Sequence, residues 1–548
     1  MRDLTSLLQP QSHNQREPTT RRFTWNITSG LRRPDGVLKE VILVNDKFPG
    51  PTLEGRSGDT WEIDVYNNHH EGIAIHWHGL HMRGANHMDG AVGITQCEVP
   101  PGEHFVYHFK VGDNQTGTYW YHAHSQTQLA SGLYGGLVVH ADKRGRPQED
   151  GYDMELLFLV GDWYHRRSSE VLKTFMDATS NGDEPCPDSL LVNGLGHFDC
   201  SRSTPSAPVD CDVVQKPTLA LNMSHRYLVR LVNTGSLTGF SFTIPDAEVN
   251  ITSVDGDQAV TADPSNGVGI LYPGERVDFI LSWQQAFQSN SSSLVVNLDK
   301  EQVQFPMNFQ SPNLALEYHQ EFTIDSTPKM MSRTKAGLGQ SLETSAKQNL
   351  QKLKVKDLTE SLPEPEVKLV IYSAVEILNH LNNIPTGFIN RTHWSQQEEP
   401  LLSLERSEWD DHQLVPWTAA QPKWVELVIN NLDSTGHPFH LHGFDFYVIS
   451  SWKGQGGWDY FNPFDTSSKP RGGDPNLKNP IRKDTVYVPA FGYVRLRFWA
   501  DNEGIWLLHC HILWHEASGM AMAIHVLGDE DTAFKGTVMG QESSSLCR

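Results

Sequence analysis

Apolar and polar residues alternate in many short segments of this chain, and these segments are rich in Val, Ile, Phe, Tyr and Trp. The clearest are DTWEIDVYNN (59–68), YLVRLVNTG (227–235), RVDFILSW (276–283), KWVELVINNL (423–432) and TVYVPAFGYVRLRFWA (485–500). Because successive side chains of a β-strand point to opposite faces, this alternation predicts strands. Turns that contain Gly and Pro, such as KFPGPT, VPPGEH and LYPGER, separate them. The pattern predicts an all-β protein built from β-sandwiches rather than βαβ units.

One long pattern occurs twice. An early block contains HWHG, VPPGEHFVYHFKVGDNQTGTYWYHAH and GLYGGLVVH, and a late block contains HLHG, VPAFGYVRLRFWADNEGIWLLHCH and ASGMAMAIHV in the same order. A middle block has LYPGERVDFILSW at the corresponding place but no pair of histidines. The repeat predicts three consecutive copies of one β-sandwich, with metal chemistry only in the outer two.

The repeat also suggests domain boundaries. We expect domains at 22–145, 150–325 and 367–528, with the metal-free middle domain acting as a spacer on the substrate side. The polar, lysine-containing stretch 326–366 is interpreted as a linker, and 529–548 as a C-terminal tail.

Composition excludes several classes of partner. The 548 residues include 44 Lys and Arg against 66 Asp and Glu, a net charge of -22, which repels nucleic acid and anionic membranes. No apolar run approaches the roughly 20 residues that span a bilayer. The N-terminus lacks the apolar core of a signal peptide. Either the signal is absent from this sequence or the protein is intracellular; we favour the first and expect a secreted or cell-wall glycoprotein. Glycosylation sequons begin at Asn26, Asn114, Asn222, Asn250, Asn290 and Asn390.

Histidines provide the strongest chemical signal. Because residues i and i+2 of a strand share a face, a His-x-His pair presents two imidazoles side by side. One such pair can be an ordinary polar strand face, but four pairs in apolar or aromatic settings indicate metal ligands. Other histidines nearby (His69, His70, His81 and His87) are interpreted as ordinary polar residues or as residues that support the ligands without binding the metal. The four pairs are His76/His78, His122/His124, His440/His442 and His509/His511.

The type of ligand narrows the choice of metal. Eight imidazoles without a carboxylate cluster suit Cu, Zn, Fe or Ni better than Mg or Ca. Cys510, His515 and Met520 lie in one short segment, and His437 can complete the His₂Cys set with a weak axial thioether that is typical of blue copper. Strand alternation places Cys510 on the face opposite its two histidine neighbours. The segment WLLHCHILWH is therefore predicted to join two copper sites and to carry electrons between them.

Four motifs, HWHG, WYHAHSQTQLASGLYG, HPFHLHG and HCHILWHEASGM, resemble the copper signatures of the multicopper oxidases, in the right order. The resemblance covers about residues 22 to 528. Members of this family, which includes laccases, ascorbate oxidases and iron oxidases, consist of three cupredoxin-like Greek-key β-sandwich domains. The resemblance implies four copper ions that together reduce O₂ to water.

The resemblance also implies a role for each site residue. Asp89, in HMDG, would be the acid beside the trinuclear copper cluster and a proton donor. The implied ligands are His437, Cys510 and His515 with axial Met520 for type 1 copper; His76 and His440 for type 2 copper; His78, His122 and His511 for one type 3 copper; and His124, His442 and His509 for the other.

The remaining cysteines are also interpreted by resemblance. Cys97 and Cys547 resemble the family's bridge between the first domain and the C-terminal tail. Cys186 and Cys200 resemble a pair that ascorbate oxidases close in their second domain. Cys211 is then left over and is expected to be a reduced, buried thiol.

The reducing substrate is harder to predict than the copper sites. A laccase-like enzyme removes single electrons from phenols; Met520 and WYHAHSQTQLASGLYG favour ascorbate oxidase; an iron oxidase needs carboxylates beside His515, which the sequence does not locate. A copper-binding or electron-carrier protein needs one site and leaves eight paired histidines unexplained. HEASGM resembles fungal pigment and secondary-metabolite laccases. We therefore predict a monomeric laccase-like oxidase of hydroquinones, catechols and naphthols, with O₂ as second substrate and ascorbate oxidase as the alternative.

Overall fold

The computed structural model describes residues 2–144, 151–203, 208–283, 291–303, 319–326, 350–355, 360–456, 460–465, 467 and 469–547. The strands in these residues form six sheets, which follow one another along the chain as three pairs. Each pair encloses a core of aromatic and branched apolar side chains. The predicted all-β fold of three consecutive cupredoxin-like β-sandwiches is confirmed.

The first pair of sheets follows a short helix, α1 (Gln11–Asn14). Its strands are β1 (Thr20–Arg32), β2 (Lys39–Val44), β3 (Leu53–Arg56), β4 (Thr60–Asn67), β5 (Ile75–His78), β6 (His104–Lys110), β7 (Gly117–Ala123) and β8 (Tyr134–His140). The sheet orders are β2–β1–β4–β6 and β3–β8–β7–β5. Because β5 and β7 are antiparallel neighbours with His76 opposite His122, the first two histidine pairs lie at one sheet edge.

The second pair of sheets carries no His-x-His strand. Its elements are β9 (Met154–Trp163), α2 (Ser168–Phe175), β10 (Ser189–Val192), β11 (Thr218–Leu221), β12 (Tyr227–Asn233), β13 (Phe240–Thr243), β14 (Ala247–Val254), β15 (Gln258–Thr261), β16 (Gly267–Leu271), β17 (Arg276–Trp283), β18 (Ser291–Leu298), β19 (His319–Ser326) and β20 (Lys354–Val355). The orders are β10–β9–β12–β17–β14–β15–β20 and β11–β19–β18–β13–β16. Most of the predicted linker lies outside the described residues, but β20 within it pairs with β15.

The third pair of sheets brings the late histidine strands together. Its elements are β21 (Val367–Ile377), β22 (Pro385–Ile389), β23 (Lys423–Asn431), β24 (His437–Leu441), β25 (Phe446–Trp452), β26 (Ile481–Lys483), β27 (Thr485–Val488), β28 (Tyr493–Ala500), β29 (Gly504–Cys510), α3 (Leu513–Ala517) and β30 (Ala521–Val526). The orders are β22–β21–β23–β28–β25–β26 and β27–β24–β29–β30. In the second sheet, His440 pairs with His509 and Phe439 with Cys510.

Outside the sheets, the tail contains α4 (Val538–Ser543). Among the described residues, every helix is too short or too polar to cross a lipid bilayer. Short 3₁₀ helices cover Asn86–Met88, Gln128–Ser131, Ala178–Ser180, Cys200–Arg202, Glu301–Val303, Leu350–Lys352, Asn379–Leu381, Leu401–Ser403 and Arg406–Glu408.

The disulfides agree with the prediction in one case and differ in the other. Cys97 is bonded to Cys547 across a sequence separation of 450 residues, as predicted. The predicted Cys186–Cys200 bond is wrong: Cys200 is bonded to Cys211, so Cys211 is not a reduced thiol, and Cys186 keeps its thiol. The Cα atoms of Cys200 and Cys211 are 5.7 Å apart, within the range that a disulfide spans.

We expect Cys97→Ser and Cys547→Ser to lower the free energy of unfolding by similar amounts, about 2–5 kcal/mol each. Both changes break the same bond, so the double mutant should be no less stable than either single mutant. Urea denaturation of the three variants measures this. Losses that add in the double mutant would contradict a shared bond.

Candidate metal centre

The four His-x-His pairs meet between the first and third sandwiches. The rings of His76 and His442 stack with centroids 3.7 Å apart, and those of His78 and His440 stack at the same distance. Each of these contacts joins β5 of the first domain to the loop or strand around β24 of the third. Three groups place one ligand nitrogen per residue within 4.8 Å of the others: His76, His78 and His440; His78, His122 and His511; and His124, His442 and His509.

Several of these nitrogens have no protein partner. The Nδ1 atoms of His76, His440 and His122 lie 2.8, 3.0 and 3.0 Å from backbone carbonyl oxygens, which fixes each proton on Nδ1. Their Nε2 atoms, like that of His124, are buried without a hydrogen-bond partner. Buried acceptors are costly to leave unpaired, and a histidine with its other nitrogen held by a carbonyl is the usual arrangement of a metal ligand. The cluster therefore fits a set of bound metal ions.

Burial also keeps most of these imidazoles neutral, as metal binding requires. Loss of hydration lowers the pKa of His124 and of His440 to about 4. The same cause lowers the pKa well below its ordinary value in His78, His122, His442 and His511.

Asp89 lies against this cluster and is fully buried. Its Oδ2 accepts a hydrogen bond of 2.7 Å from Nδ1 of His442, and its Oδ1 is 3.3 Å from Nδ1 of His76. One carboxylate thus contacts one histidine from each outer domain. The predicted acid is in contact with the cluster, and its role as proton donor stays a prediction.

A second carboxylate, Glu516, reaches the cluster and was not predicted. Its Oε2 is 3.1 Å from Nδ1 of His509, and its Oε1 is 3.4 Å from Nε2 of His124. Burial alone would raise the pKa of Glu516, but its interactions with His509 and His124 lower it to about 2. Its position next to His515 in HCHILWHEASGM is the one sequence signal for Glu516. That α3 turns this residue back onto the cluster is seen only in the structure.

The middle domain also contacts the cluster. Arg276, at the start of β17, donates two hydrogen bonds of 2.6 Å to the carboxylate of Asp484. Asp484 in turn lies 3.5 Å from Nε2 of His78 and 3.5 Å from Nδ1 of His440. A Cβ atom on Gly274 would lie 2.8 Å from the ring of His511, so the turn LYPGER can pack here only with glycine. The middle domain, which contributes no residue to the three histidine groups, is thus part of the support of the cluster.

The predicted His₂Cys group is also brought together. Sγ of Cys510 is 3.6 Å from Nδ1 of His515 and 3.8 Å from Nδ1 of His437, and the two nitrogens are 3.1 Å apart. Ligand bonds of about 2.0–2.3 Å around one ion give separations of this size. Burial opposes ionisation of the thiol, but hydrogen bonds from the two histidines lower the pKa of Cys510 to about 7. The site therefore favours a thiolate, which is the form that binds metal.

Met520 is buried beside this group. Its backbone oxygen accepts a 3.1 Å hydrogen bond from the backbone of Cys510, and its backbone nitrogen donates to the carbonyl of His515. A Cβ atom on Gly387 would lie 2.7 Å from Cβ of Met520, so glycine allows β22 to pack tightly against it. The position suits the predicted axial ligand.

Two carboxylates that the sequence did not locate lie on the outer nitrogens of the same group. Glu184 contacts Nε2 of His515, and Asp433 accepts a hydrogen bond of 2.9 Å from Nε2 of His437. Despite burial, Asp433 and Cys510 raise the pKa of His437 to about 9. Glu184 comes from an irregular loop of the middle domain, which carries no recognisable sequence signal.

Comparisons with known proteins agree with these observations. Family profiles described as multicopper oxidase match residues 26–144, 155–302 and 378–530. Laccase-1 of Cryptococcus neoformans var. grubii is 31% identical over 92% of this chain and 79% of its own length. The iron transport multicopper oxidase fetC of Epichloe festucae is 30% identical over 90% of this chain and 74% of its own. A solved structure of a mutant laccase from B. aclada superposes with a TM-score of 0.75 at 25% identity, over 98% of this chain and 93% of that one.

Proposed function

The chain belongs to the multicopper oxidase family, and we propose that it is a laccase-like member that removes single electrons from hydroquinones, catechols and naphthols. It is an oxidoreductase that uses O₂, and its cofactor is four copper ions: one type 1, one type 2 and two type 3. When bound, these ions take up single electrons from the substrate and reduce O₂ to water.

The proposed ligands follow the groups described above. The unpartnered Nε2 atoms and the short separations within each group support this assignment. Type 1 copper would be held by His437, Cys510, His515 and axial Met520; type 2 by His76 and His440; one type 3 ion by His78, His122 and His511; and the other by His124, His442 and His509.

One observation carries the phenol proposal: the carboxylate of Glu184 on the outer edge of His515. Its second oxygen, Oε2, is buried and has no hydrogen-bond partner. A phenol that loses an electron becomes strongly acidic, so its hydroxyl proton must leave as well. We propose Glu184, whose side chain is 11% exposed beside His515, as the base that accepts this proton.

Oxygen uptake by the copper-loaded enzyme tests the proposal. We expect hydroquinones and dihydroxynaphthalenes to support faster uptake than ascorbate at equal concentration. Faster uptake with ascorbate would establish the alternative, ascorbate oxidase. Absence of uptake with all reductants would contradict an oxidase.

A second candidate function, oxidation of Fe(II), is favoured by Asp433. With Glu184 it gives two carboxylates, each on a different histidine of the His₂Cys group. Carboxylate and imidazole ligands suit Fe(II). The relative named iron transport multicopper oxidase is consistent with this candidate.

Changes to the two carboxylates distinguish the candidates. If phenols are the substrates, Glu184→Gln should lower kcat/KM for hydroquinone by about 10²–10⁴-fold because it removes the base, and Asp433→Asn should change it little. If Fe(II) is the substrate, each change removes a cation ligand, so both should raise KM for Fe(II). Steady-state oxygen uptake measures all four combinations. Equal hydroquinone kinetics in Glu184→Gln and the wild type would contradict the proposed base.

The axial position gives a further prediction. A coordinating thioether stabilises Cu(II), so Met520→Leu should raise the type 1 potential by on the order of 100 mV, about 2.3 kcal/mol for one electron. The two side chains are close in volume, so the fold should lose less than about 1.5 kcal/mol. Redox titration of the blue absorption compares the two proteins. An unchanged or lower potential would mean that Met520 is not the axial ligand.

The proposed site of action is outside the cell, in the extracellular space or the cell wall, with oxidative coupling of pigment or secondary-metabolite phenols as the role. The bonds Cys97–Cys547 and Cys200–Cys211 support this proposal, since disulfides persist in oxidising compartments. We keep 22–145, 150–325 and 367–528 as the proposed domain boundaries and a monomer as the proposed state.

A further inference from the structure

A second group of potential metal ligands lies away from the copper centre, in the loop between β4 and β5. It consists of His69, His70 and Glu71, whose ligand atoms lie within 4.8 Å of one another. The sequence alone gave no reason to treat these residues as more than polar loop residues. Their arrangement in the structure indicates that they can serve as ligands of a cation.

His69 is the central residue of this group. It is only 7% exposed, and its Nδ1 lies 2.7 Å from the hydroxyl oxygen of Ser29. Its Nε2, which faces Glu71, is buried and has no hydrogen-bond partner. Burial and the neighbouring His70 lower the pKa of His69, so the ring is neutral. In the tautomer that donates its Nδ1 proton to Ser29, the neutral imidazole offers its Nε2 lone pair to a cation.

The distances are too long for hydrogen bonds but suit a shared ion. Nε2 of His69 is 3.6 Å from Oε2 of Glu71, and Nε2 of His70 is 3.9 Å from Oε1 of the same carboxylate. Ligands bonded at about 2.0–2.2 Å to a tetrahedral ion lie about 3.3–3.6 Å apart. The side chain of His70 is 66% exposed, so it has room to rotate toward the carboxylate.

The backbone of the loop is already fixed. Asn67, which is fully buried, accepts a 2.9 Å hydrogen bond from the backbone nitrogen of His69 and donates one of 2.8 Å to the carbonyl of Glu71. Gln128 donates a 2.8 Å hydrogen bond to the carbonyl of Gly72. Binding an ion would therefore not require ordering a flexible segment, and preorganisation of this kind favours affinity.

The charge around the loop also favours a cation. The side chain of Glu98 packs against Gly72, next to Glu71. Burial raises the pKa of Glu98, and the charge of Glu71 raises it further. Glu40 adds a third carboxylate to the field at His69. An ion between His69 and Glu71 would relieve this repulsion.

We propose that His69, His70 and Glu71 form an additional binding site for a borderline divalent cation, Zn(II) or Cu(II), separate from the four copper ions. Two imidazoles and one carboxylate are the ligand set that these cations share. The site leaves at least one position for water, because three protein ligands do not complete a tetrahedron.

Zinc titration of the copper-loaded full chain tests the proposal by calorimetry. The wild type should bind one equivalent of Zn(II) that His69→Ala does not bind. Ser29→Ala keeps all three ligands but loses the support of His69, so it should weaken zinc binding about 10–100-fold. His104→Ala is the matched control, since it removes an exposed imidazole of the same domain beside a single carboxylate, Asp64, and should leave the zinc site intact.

Copper content and blue colour, measured on every variant, show whether the copper centre is intact. If His69→Ala loses copper, His70→Ala replaces it in the test, because His70 is an exposed residue. Zinc binding by His70→Ala should weaken at least tenfold. Competition by Cu(II) for the same equivalent distinguishes a copper-preferring from a zinc-preferring site. Equal zinc binding by the wild type, His70→Ala and Ser29→Ala would overturn the proposal.

Discussion

Replacing Cys510 by serine is expected to abolish both the strong visible absorption of a blue copper site and all oxidation of phenols. The absorption and the electron path both need a thiolate, and the buried group of Cys510, His437 and His515 is arranged to provide one. A serine hydroxyl is a hard, protonated ligand that cannot replace it. The change removes little volume, so the fold should remain.

Visible spectra and oxygen uptake of the copper-loaded protein measure this result. His124→Ala is the complementary variant, because His124 belongs to a different ligand group from Cys510. It should keep the blue colour and lose O₂ consumption. A blue Cys510→Ser protein, or a colourless but folded His124→Ala protein, would contradict the division into two sites.

The His-x-His pairs could be predicted from sequence because they depend on local geometry, whereas the grouping of the proposed copper ligands followed from the resemblance to the multicopper oxidases. The two-residue period of a strand determines that His509 and the residue two positions later share a face, whichever strands lie beside them. The opposite orientation of Cys510 follows from the same period and agrees with its contacts to His437 and His515. The grouping of His437 with Cys510 depends on the register of β24 against β29, which this local period does not determine.

Features that depend on loops and turns could not be predicted in this way. Cys200–Cys211 instead of Cys186–Cys200 reflects how a loop folds back, which spacing does not determine. The segment 485–500, which reads as one strand, is two: β27 and β28 are separated by a turn in which Phe491 has a φ of 49°. Glu184 and Asp433 reach the His₂Cys group from outside any recognisable motif.

The contribution of the middle domain to the copper centre is the feature that the sequence indicates least. It leads to the second large prediction. Arg276→Ala should lower the free energy of unfolding by about 3–5 kcal/mol, because it leaves the buried carboxylate of Asp484 without its arginine partner. Asp255 loses one of two cationic partners and keeps Lys483. In the wild type, burial would raise the pKa of Asp484. The charge and hydrogen bonds of Arg276 are the largest effects in the opposite direction, and the pKa of Asp484 lies well below its ordinary value.

A loss of stability alone would not identify a role at the copper centre. Asp484 accepts a 2.8 Å hydrogen bond from the hydroxyl of Thr485, and that hydroxyl oxygen lies 3.1 Å from both Nε2 of His78 and Nδ1 of His440. When Asp484 is no longer held, these two rings lose their fixed orientation. Copper affinity of the trinuclear group should then fall about 10–100-fold, while the blue site, built by other residues, should be retained.

Arg230→Ala is the matched control. Arg230 is a buried arginine of the same domain that pairs with Glu155 and Asp278, and its removal should cost similar stability. These ion pairs do not involve any of the paired histidines, so Arg230→Ala should keep all four copper ions. Arg276→Lys should retain part of the copper, since lysine keeps the charge but not the two-pronged hydrogen bond. The measurements are copper per chain, the electron paramagnetic resonance signal of type 2 copper, and urea denaturation. If Arg276→Ala and Arg230→Ala lose similar stability and both keep four copper ions, Arg276 stabilises the fold and has no role at the copper centre.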